Sequence, residues 1–134
     1  MPKFGKKSKE RLEGVHPDIV RVLNSVIKYY DITILEGVRS MERQIELYNS
    51  GASKLDGVIR KSNHQTGKAV DISPWPVKFD DTKSFYYLAG LIKAESKKLG
   101  IRIRFGGDWN EDQRFSGRDP NQTFDDLVHY EVKL

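Results

Sequence analysis

The chain has 134 residues, of which 37% are hydrophobic and 31% are charged. This length and these proportions predict one folded domain and exclude an intrinsically disordered chain. The absence of cysteine excludes a disulfide framework, a thiolate metal site and a cysteine nucleophile. The formal net charge of +4 predicts a mild attraction to polyanions, but it identifies no partner.

The N-terminal segment, residues 1–14, is a basic leader that lacks the apolar stretch of a signal peptide. No later stretch approaches the roughly 20 apolar residues of a membrane span. The sequence contains no internal repeat and no low-complexity segment. We therefore expect residues 1–134 to form a single domain that has no membrane span and is made without an export signal.

The first half of the chain alternates helix and strand signals. Apolar residues recur every three to four positions over residues 17–30, which predicts a helix with one buried face. The β-branched segment 32–35 predicts a short buried strand. Ser40 is a suitable N-cap for a helix over Met41–Asn49. Arg39 then lies at the junction between this strand and this helix.

The second half predicts three further strands and one long helix. A loop over residues 50–67 leads into a strand over Ala69–Ser73, and apolar spacing predicts a helix over residues 85–99. Strands over 101–105 and 127–132 complete the chain. We expect an α+β fold, with a central, mostly antiparallel sheet of about four strands and helices packed against one side.

Two of the three histidines lie in short segments that also carry acidic residues. His64 precedes the Gly67 turn and Asp71 follows that turn on the strand, so the turn can bring the two side chains together. Because side chains alternate along a strand, Asp71 faces away from the apolar residues on either side of it. The same alternation places His129 and Glu131 on one face of the last strand.

Without cysteine, a metal in this chain must be held by histidine and carboxylate. A catalytic zinc takes three such ligands and keeps its fourth tetrahedral position for water. A surface histidine is more often an ordinary solvated residue than a ligand. For the remaining histidine, His16, that alternative prevails, because it directly precedes a helix and suits a capping role.

The residues that carry a family resemblance form two motifs, Ser62-x-His64-x-x-Gly67-x-Ala69-x-Asp71 and His129-x-Glu131. Two supporting segments are Gly37-Val38-Arg39-Ser40 and Gly106-Gly107-Asp108-Trp109. Together they resemble the LAS metallopeptidases, which include D-alanyl-D-alanine carboxypeptidases and dipeptidases and phage L-alanyl-D-glutamate endolysins. The resemblance extends over nearly the whole chain, and the His-to-Asp spacing with the distant histidine is its most specific part.

This resemblance implies a hedgehog/DD-peptidase-like fold and a single zinc ion on the open face of the sheet, held by His64, Asp71 and His129. The carboxylate three residues before the last ligand, Asp126, would be the general base. That position is typically Glu in the D-alanyl-D-alanine branch and Asp in the endolysin branch. We therefore expect a zinc endopeptidase that cleaves the L-alanyl-D-glutamate bond of peptidoglycan stem peptides and causes host lysis.

Three further site residues keep alternative explanations. Glu131 competes with Asp126 for the role of base, but it is better explained as a residue that orients a ligand or binds a substrate amine. Ser62 and Trp109 are candidate substrate contacts, and their alternatives are turn capping and core packing. We expect Asp108 to brace the site or cap a loop.

Arg39 is the remaining catalytic candidate. Its planar, permanently charged guanidinium suits an oxyanion or a substrate carboxylate, a role that the resemblance favours. The alternative is an ordinary ion pair with Glu36 or Glu42.

A regulatory calcium ion is a weaker hypothesis, because the acidic, turn-rich stretch before the last strand matches no calcium-loop motif. Its oxygen-bearing residues are Asn110, Glu111, Asp112, Asp119, Asn121 and Asp125. We expect a monomer that binds peptidoglycan and no nucleic acid, has no separate wall-binding domain, and needs a membrane-permeabilising partner to reach the wall. The alternatives are a D-alanyl-D-alanine carboxypeptidase and a non-catalytic, metal-bearing binding module.

Overall fold

The computed structural model describes residues 2–53, 55, 57, 63–113 and 126–134. The helices in this part of the chain are α1 (Lys6–Arg11), α2 (Pro17–Val26), α3 (Met41–Asn49) and α4 (Thr82–Lys98). The strands are β1 (Ile32–Glu36), β2 (Ala69–Pro74), β3 (Ile103–Phe105) and β4 (His129–Val132). None of these helices is long and apolar enough to cross a membrane.

The four strands form one sheet in the order β1-β2-β4-β3, and every neighbouring pair is antiparallel. The predicted α+β fold with a mostly antiparallel sheet is confirmed. The last strand therefore lies inside the sheet, between β2 and β3. Its register places His129 opposite Asp71 and Glu131 opposite Ala69, so residues about 60 positions apart in sequence become neighbours across one pair of strands.

Strand alternation separates an apolar face of the sheet from a polar one. Val70 and Ile72 on β2 and Tyr130 on β4 belong to the buried core, which is covered by α2 and α4. Full burial of one such aliphatic side chain contributes about 1.5–3 kcal/mol, so this face stabilises the fold. The opposite face carries Asp71 and His129, as the alternation predicted.

Four predicted element boundaries were wrong by two or more residues, and one of them is the start of the helix predicted over 85–99, which begins at Thr82. The helix predicted over 17–30 ends at Val26, and a turn follows it. The strand predicted over 101–105 begins at Ile103. The strand predicted over 127–132 begins at His129, because the preceding residues form a turn in which the His129 N–H donates to the Asp126 carbonyl at 3.1 Å. This turn holds Asp126 beside the start of the strand.

The basic leader contains an element that the sequence analysis did not predict. Helix α1 lies along β1, where the buried Ser8 hydroxyl accepts a hydrogen bond from the Ile34 N–H at 3.1 Å. The Arg11 guanidinium donates to the Ile34 carbonyl at 2.8 Å. Strand β1 lies at the edge of the sheet, where unpaired backbone groups can pair with another chain. Helix α1 provides hydrogen-bond partners for both the N–H and the carbonyl of Ile34.

Candidate metal centre and active site

Three side chains converge on the polar face of the sheet. His64 Nε2 lies 3.2 Å from His129 Nδ1 and 3.1 Å from Asp71 Oδ1, and the distance from His129 Nδ1 to Asp71 Oδ1 is 3.5 Å. Ligand atoms bound tetrahedrally to zinc at 2.0–2.1 Å are about 3.3 Å apart. The structure therefore brings together the three residues that the sequence named as ligands, with a spacing that suits zinc.

The chemistry of these three atoms also suits a cation. Asp71 Oδ1 is buried and makes no hydrogen bond within the described part of the chain. Burial would raise the pKa of Asp71, but the two imidazoles beside it lower that pKa well below its ordinary range. The carboxylate is therefore ionised, and its buried negative charge needs a positive partner.

A backbone carbonyl orients His64. Its Nδ1 lies 3.2 Å from the Gly37 carbonyl oxygen, and because a carbonyl only accepts, the hydrogen is on Nδ1 and the lone pair on Nε2. The backbone N–H of Arg39 in turn donates to the His64 carbonyl oxygen at 2.9 Å. Gly67 completes the turn with a φ of +76°, in a position where a Cβ would lie 2.4 Å from the Gly14 carbonyl oxygen. The predicted turn at Gly67 therefore requires glycine.

A side chain orients His129. The Glu131 carboxylate accepts a hydrogen bond from His129 Nε2 at 2.8 Å, which directs Nδ1 towards the cluster. Burial would lower the pKa of His129, but the Asp71 and Glu131 carboxylates outweigh burial and raise it to about 9. Without a metal, His129 is therefore protonated at neutral pH. The two carboxylates therefore favour a positive charge at the point where the three side chains meet.

The second oxygen of Glu131 is also occupied. Arg104 Nη2 donates to Glu131 Oε2 at 2.8 Å, and Asn63 Nδ2 donates to the same atom at 3.0 Å. Burial would raise the pKa of Glu131, but its hydrogen bond with His129 and the neighbouring positive charges lower it to about 2. Glu131 therefore binds the imidazole of a candidate ligand through one oxygen and two further side chains through the other, and its role in the reaction stays a prediction.

Asp126 has a different electrostatic environment. It is partly buried, and burial together with the negative charge of Asp71 raises its pKa. Its backbone is held close to the sheet, because the Asp126 N–H donates to the Gly106 carbonyl at 2.9 Å. A carboxyl group with a raised pKa accepts a proton more readily than Glu131 does.

Arg39 makes the ion pair that the sequence analysis gave as its alternative explanation. Its Nε and Nη2 donate to the two carboxylate oxygens of Glu36 at 2.8 and 3.0 Å, the bidentate geometry typical of strong pairs. Nη1 donates to Gln44 Oε1 at 2.7 Å. These three contacts use three of the five guanidinium N–H groups, so a role towards substrate stays a prediction.

The sequence analysis named three further residues, Trp109, Asp108 and Ser62, which do not share one location. Trp109 has its ring centre 5.2 Å from that of His129, so it borders the cluster. The buried Asp108 caps a loop, because its carboxylate accepts from the N–H groups of Asp112 and Gln113 at 3.1 and 2.8 Å. Ser62 lies outside the described residues.

The calcium hypothesis gains no support. Glu111 is paired with Arg102, and Asp112 Oδ2 accepts a hydrogen bond from Asn110 at 3.3 Å. The other three proposed ligands, at positions 119, 121 and 125, lie outside the described residues. As predicted, His16 caps α2, where its Nδ1 accepts from the Asp18 N–H at 3.1 Å.

Sequence reasoning missed Arg104 and Asn63. A signal for Arg104 was present, because it alternates with the apolar Ile103 and Phe105 and must therefore share the polar face with His129. Asn63 had no comparable signal, since it belongs to a loop and its partner, Glu131, is 68 residues away.

Comparison with known proteins identifies relatives over nearly the full chain. A family model described as phage L-alanyl-D-glutamate peptidase matches residues 1–132. The L-alanyl-D-glutamate peptidase of Escherichia phage T5 is 31% identical over 128 residues, which are 92% of this chain and 93% of that protein. The crystal structure of the Serratia marcescens L-Ala D-Glu endopeptidase ChiX has a TM-score of 0.79 at 29% identity, covering 98% of this chain and 90% of ChiX.

A more distant structure shares the fold alone. The vancomycin resistance D,D-pentapeptidase VanY, solved in complex with Zn(II), has a TM-score of 0.58 at 16% identity. The match covers 88% of this chain and 72% of VanY.

Proposed function

The chain belongs to the phage L-alanyl-D-glutamate peptidase family and is a peptidase of peptidoglycan, and from this premise we propose a more specific activity. It is a zinc-dependent endopeptidase that hydrolyses the L-alanyl-D-glutamate bond of the stem peptide. The observation that carries the metal is the convergence of His64, Asp71 and His129 around a buried carboxylate oxygen that has no hydrogen-bond partner among the described residues. The bond specificity is supported by the family and by the two similar L-alanyl-D-glutamate peptidases.

His64 Nε2, Asp71 Oδ1 and His129 Nδ1 would hold the metal. Zinc supplies Lewis-acid chemistry, because it lowers the pKa of a water molecule from about 15.7 towards about 7 and polarises a carbonyl. Asp126 accepts the proton of the attacking water and passes it to the leaving amine of the D-glutamate residue. Glu131 is unsuited to this step because both of its oxygens are committed to neighbouring side chains.

The other site residues would act on the substrate. Arg39 binds a substrate carboxylate or the developing oxyanion, and Glu36 and Gln44 hold its guanidinium in one orientation. Trp109 offers a half-buried ring beside His129 against which the stem peptide can pack. Ser62, one residue before Asn63, is the further candidate for a substrate hydrogen bond.

The biological role follows from the same premise. A phage peptidase of this specificity serves as an endolysin that opens the wall for host lysis. We propose that residues 1–134 act as a monomeric peptidase domain. The protein is made in the host cytoplasm and reaches peptidoglycan once a partner has permeabilised the membrane.

The bond assignment is tested by digestion of purified peptidoglycan followed by mass spectrometry of the fragments. The proposal predicts glycan-linked L-alanine and released peptides with an N-terminal D-glutamate. Release of D-alanine alone would instead identify a D-alanyl-D-alanine carboxypeptidase with this fold. A zinc-loaded protein that leaves the wall intact would indicate a non-catalytic binding module.

A further inference from the structure

The Glu131 carboxylate receives hydrogen bonds from three parts of the fold. His129 on the same strand donates to Oε1, while Arg104 on β3 and Asn63 in the loop before β2 both donate to Oε2. Glu131 is 4% exposed and His129 is 8% exposed. A carboxylate bound on both sides in a buried site keeps one orientation, and so does the imidazole that donates to it.

We infer that Arg104 and Asn63 are positioning residues that act through Glu131 to aim His129 Nδ1 at the metal. This inference rests on the proposed metal centre, but it concerns residues that make no contact with the ligand atoms. Partners of this kind fix the ring orientation and tautomer of a metal-binding histidine. The chain Arg104–Glu131–His129 therefore runs from β3, through the carboxylate, to the metal.

Arg104 also supports a second neighbour of His129. Its guanidinium carbon lies 5.3 Å from the centre of the Trp109 ring, within the range of a cation–π contact. The Trp109 ring centre is 5.2 Å from that of His129. Arg104 thus fixes both the carboxylate that binds His129 Nε2 and the ring that packs beside the imidazole. Asn63 supports only the carboxylate, so its removal has the smaller effect.

The test is the zinc affinity of the full chain, measured by competition with a chelating dye, in Arg104→Met and Asn63→Ala. Loss of a supporting partner of a ligand weakens metal binding by about 10–100-fold. We expect a loss in this range for Arg104→Met and a smaller loss for Asn63→Ala. Arg104→Lys, which retains the charge, recovers part of the affinity. The matched control is Arg102→Met, since Arg102 pairs with Glu111, a carboxylate that contacts no candidate ligand.

Three further readouts separate positioning from general structural support. The visible spectrum of the Co²⁺-substituted protein changes in Arg104→Met and not in Arg102→Met, because the spectrum reports the ligand geometry. In steady-state kinetics, kcat falls while KM is unchanged. In the Glu131→Ala background, Arg104→Met causes a much smaller additional loss of zinc affinity, limited to its contact with Trp109, since its main effect passes through Glu131.

Zinc affinity and a cobalt spectrum in Arg104→Met that match those of the unsubstituted protein would overturn the inference. An equal and additive loss of affinity in the Glu131→Ala background would overturn it too. If Arg104→Met does not fold, Asn63→Ala provides the same test through the second donor to Glu131 Oε2. Failure of the proposed metal centre itself is distinguishable, because the unsubstituted chain would then bind no zinc.

Discussion

The two histidines of the cluster are held in opposite ways. His64 directs Nε2 inwards because its Nδ1 donates to a backbone carbonyl, that of Gly37. His129 directs Nδ1 inwards because its Nε2 donates to a side chain, that of Glu131. The orientation of His64 therefore depends on the path of the main chain, whereas that of His129 depends on a group of charged and polar side chains.

The two candidate ligands are therefore expected to be sensitive to different substitutions. Side-chain replacements near His64 leave its acceptor in place unless they move the backbone of Gly37. Replacements near His129 can remove its acceptor, or that acceptor's own partners, without changing the fold.

Removal of either histidine has the largest expected effect. We expect His64→Ala and His129→Ala to lose the bound zinc and to reduce wall hydrolysis to the background, because two remaining ligands do not hold a catalytic zinc. Elemental analysis after dialysis in metal-free buffer measures this directly. Normal zinc content in either variant would show that the metal lies elsewhere.

Substitution of Asp126 and substitution of Glu131 should impair the enzyme in different ways. Asp126→Asn keeps the zinc but lowers kcat by about 10²–10⁴-fold, the usual contribution of a general base. Glu131→Gln instead weakens zinc binding, because it alters the acceptor for His129. Parallel measurement of kcat and zinc content separates these effects. An Asp126→Asn enzyme with unchanged kcat would transfer the role of base to another residue.

Some residues of the candidate site could be predicted from the sequence and others could not. His64 and Asp71 were predictable because they belong to one local motif, and strand alternation correctly assigned Asp71 to the polar face. His129 joined them through family resemblance, since no local pattern connects residues on β2 and β4. Strand alternation could assign Arg104 to the polar face, but its pairing and that of Asn63 with Glu131 could not be predicted, because they meet Glu131 only when the last strand is inserted between β2 and β3.

The backbone support of His64 can be tested at Gly37. A Cβ built at this position would lie 1.7 Å from the Arg11 carbonyl oxygen, so Gly37→Ala must move the main chain. We expect a loss of about 1–3 kcal/mol in the free energy of unfolding, measured by denaturant titration of the metal-free protein. Zinc affinity should fall as well, because the acceptor for His64 moves.

The matched control is Gly90→Ala in α4, where no described atom outside the local helix backbone lies within 4 Å of the added Cβ. This change should stabilise the helix by up to about 1 kcal/mol and leave zinc affinity unchanged. Equal stability of Gly37→Ala and the unsubstituted chain would contradict the proposed backbone support.

The smallest predicted effect is the pH dependence of zinc binding. In the metal-free protein the pKa of His129 is raised to about 9, so at neutral pH zinc must displace a proton from the Nδ1 atom that binds it. Zinc affinity should therefore rise as the pH increases towards 9, and calorimetry in buffers of different ionisation enthalpy should detect the released proton. Zinc binding without proton release at pH 7 would contradict the raised pKa.

The most direct test of the zinc peptidase is to titrate zinc into the metal-free protein while counting new N-terminal D-glutamate groups released from purified peptidoglycan. We expect no release without metal, an increase in rate with each addition, and saturation at one equivalent of zinc per chain. Full activity in the metal-free protein, or saturation with no cleavage at the L-alanyl-D-glutamate bond, would contradict it.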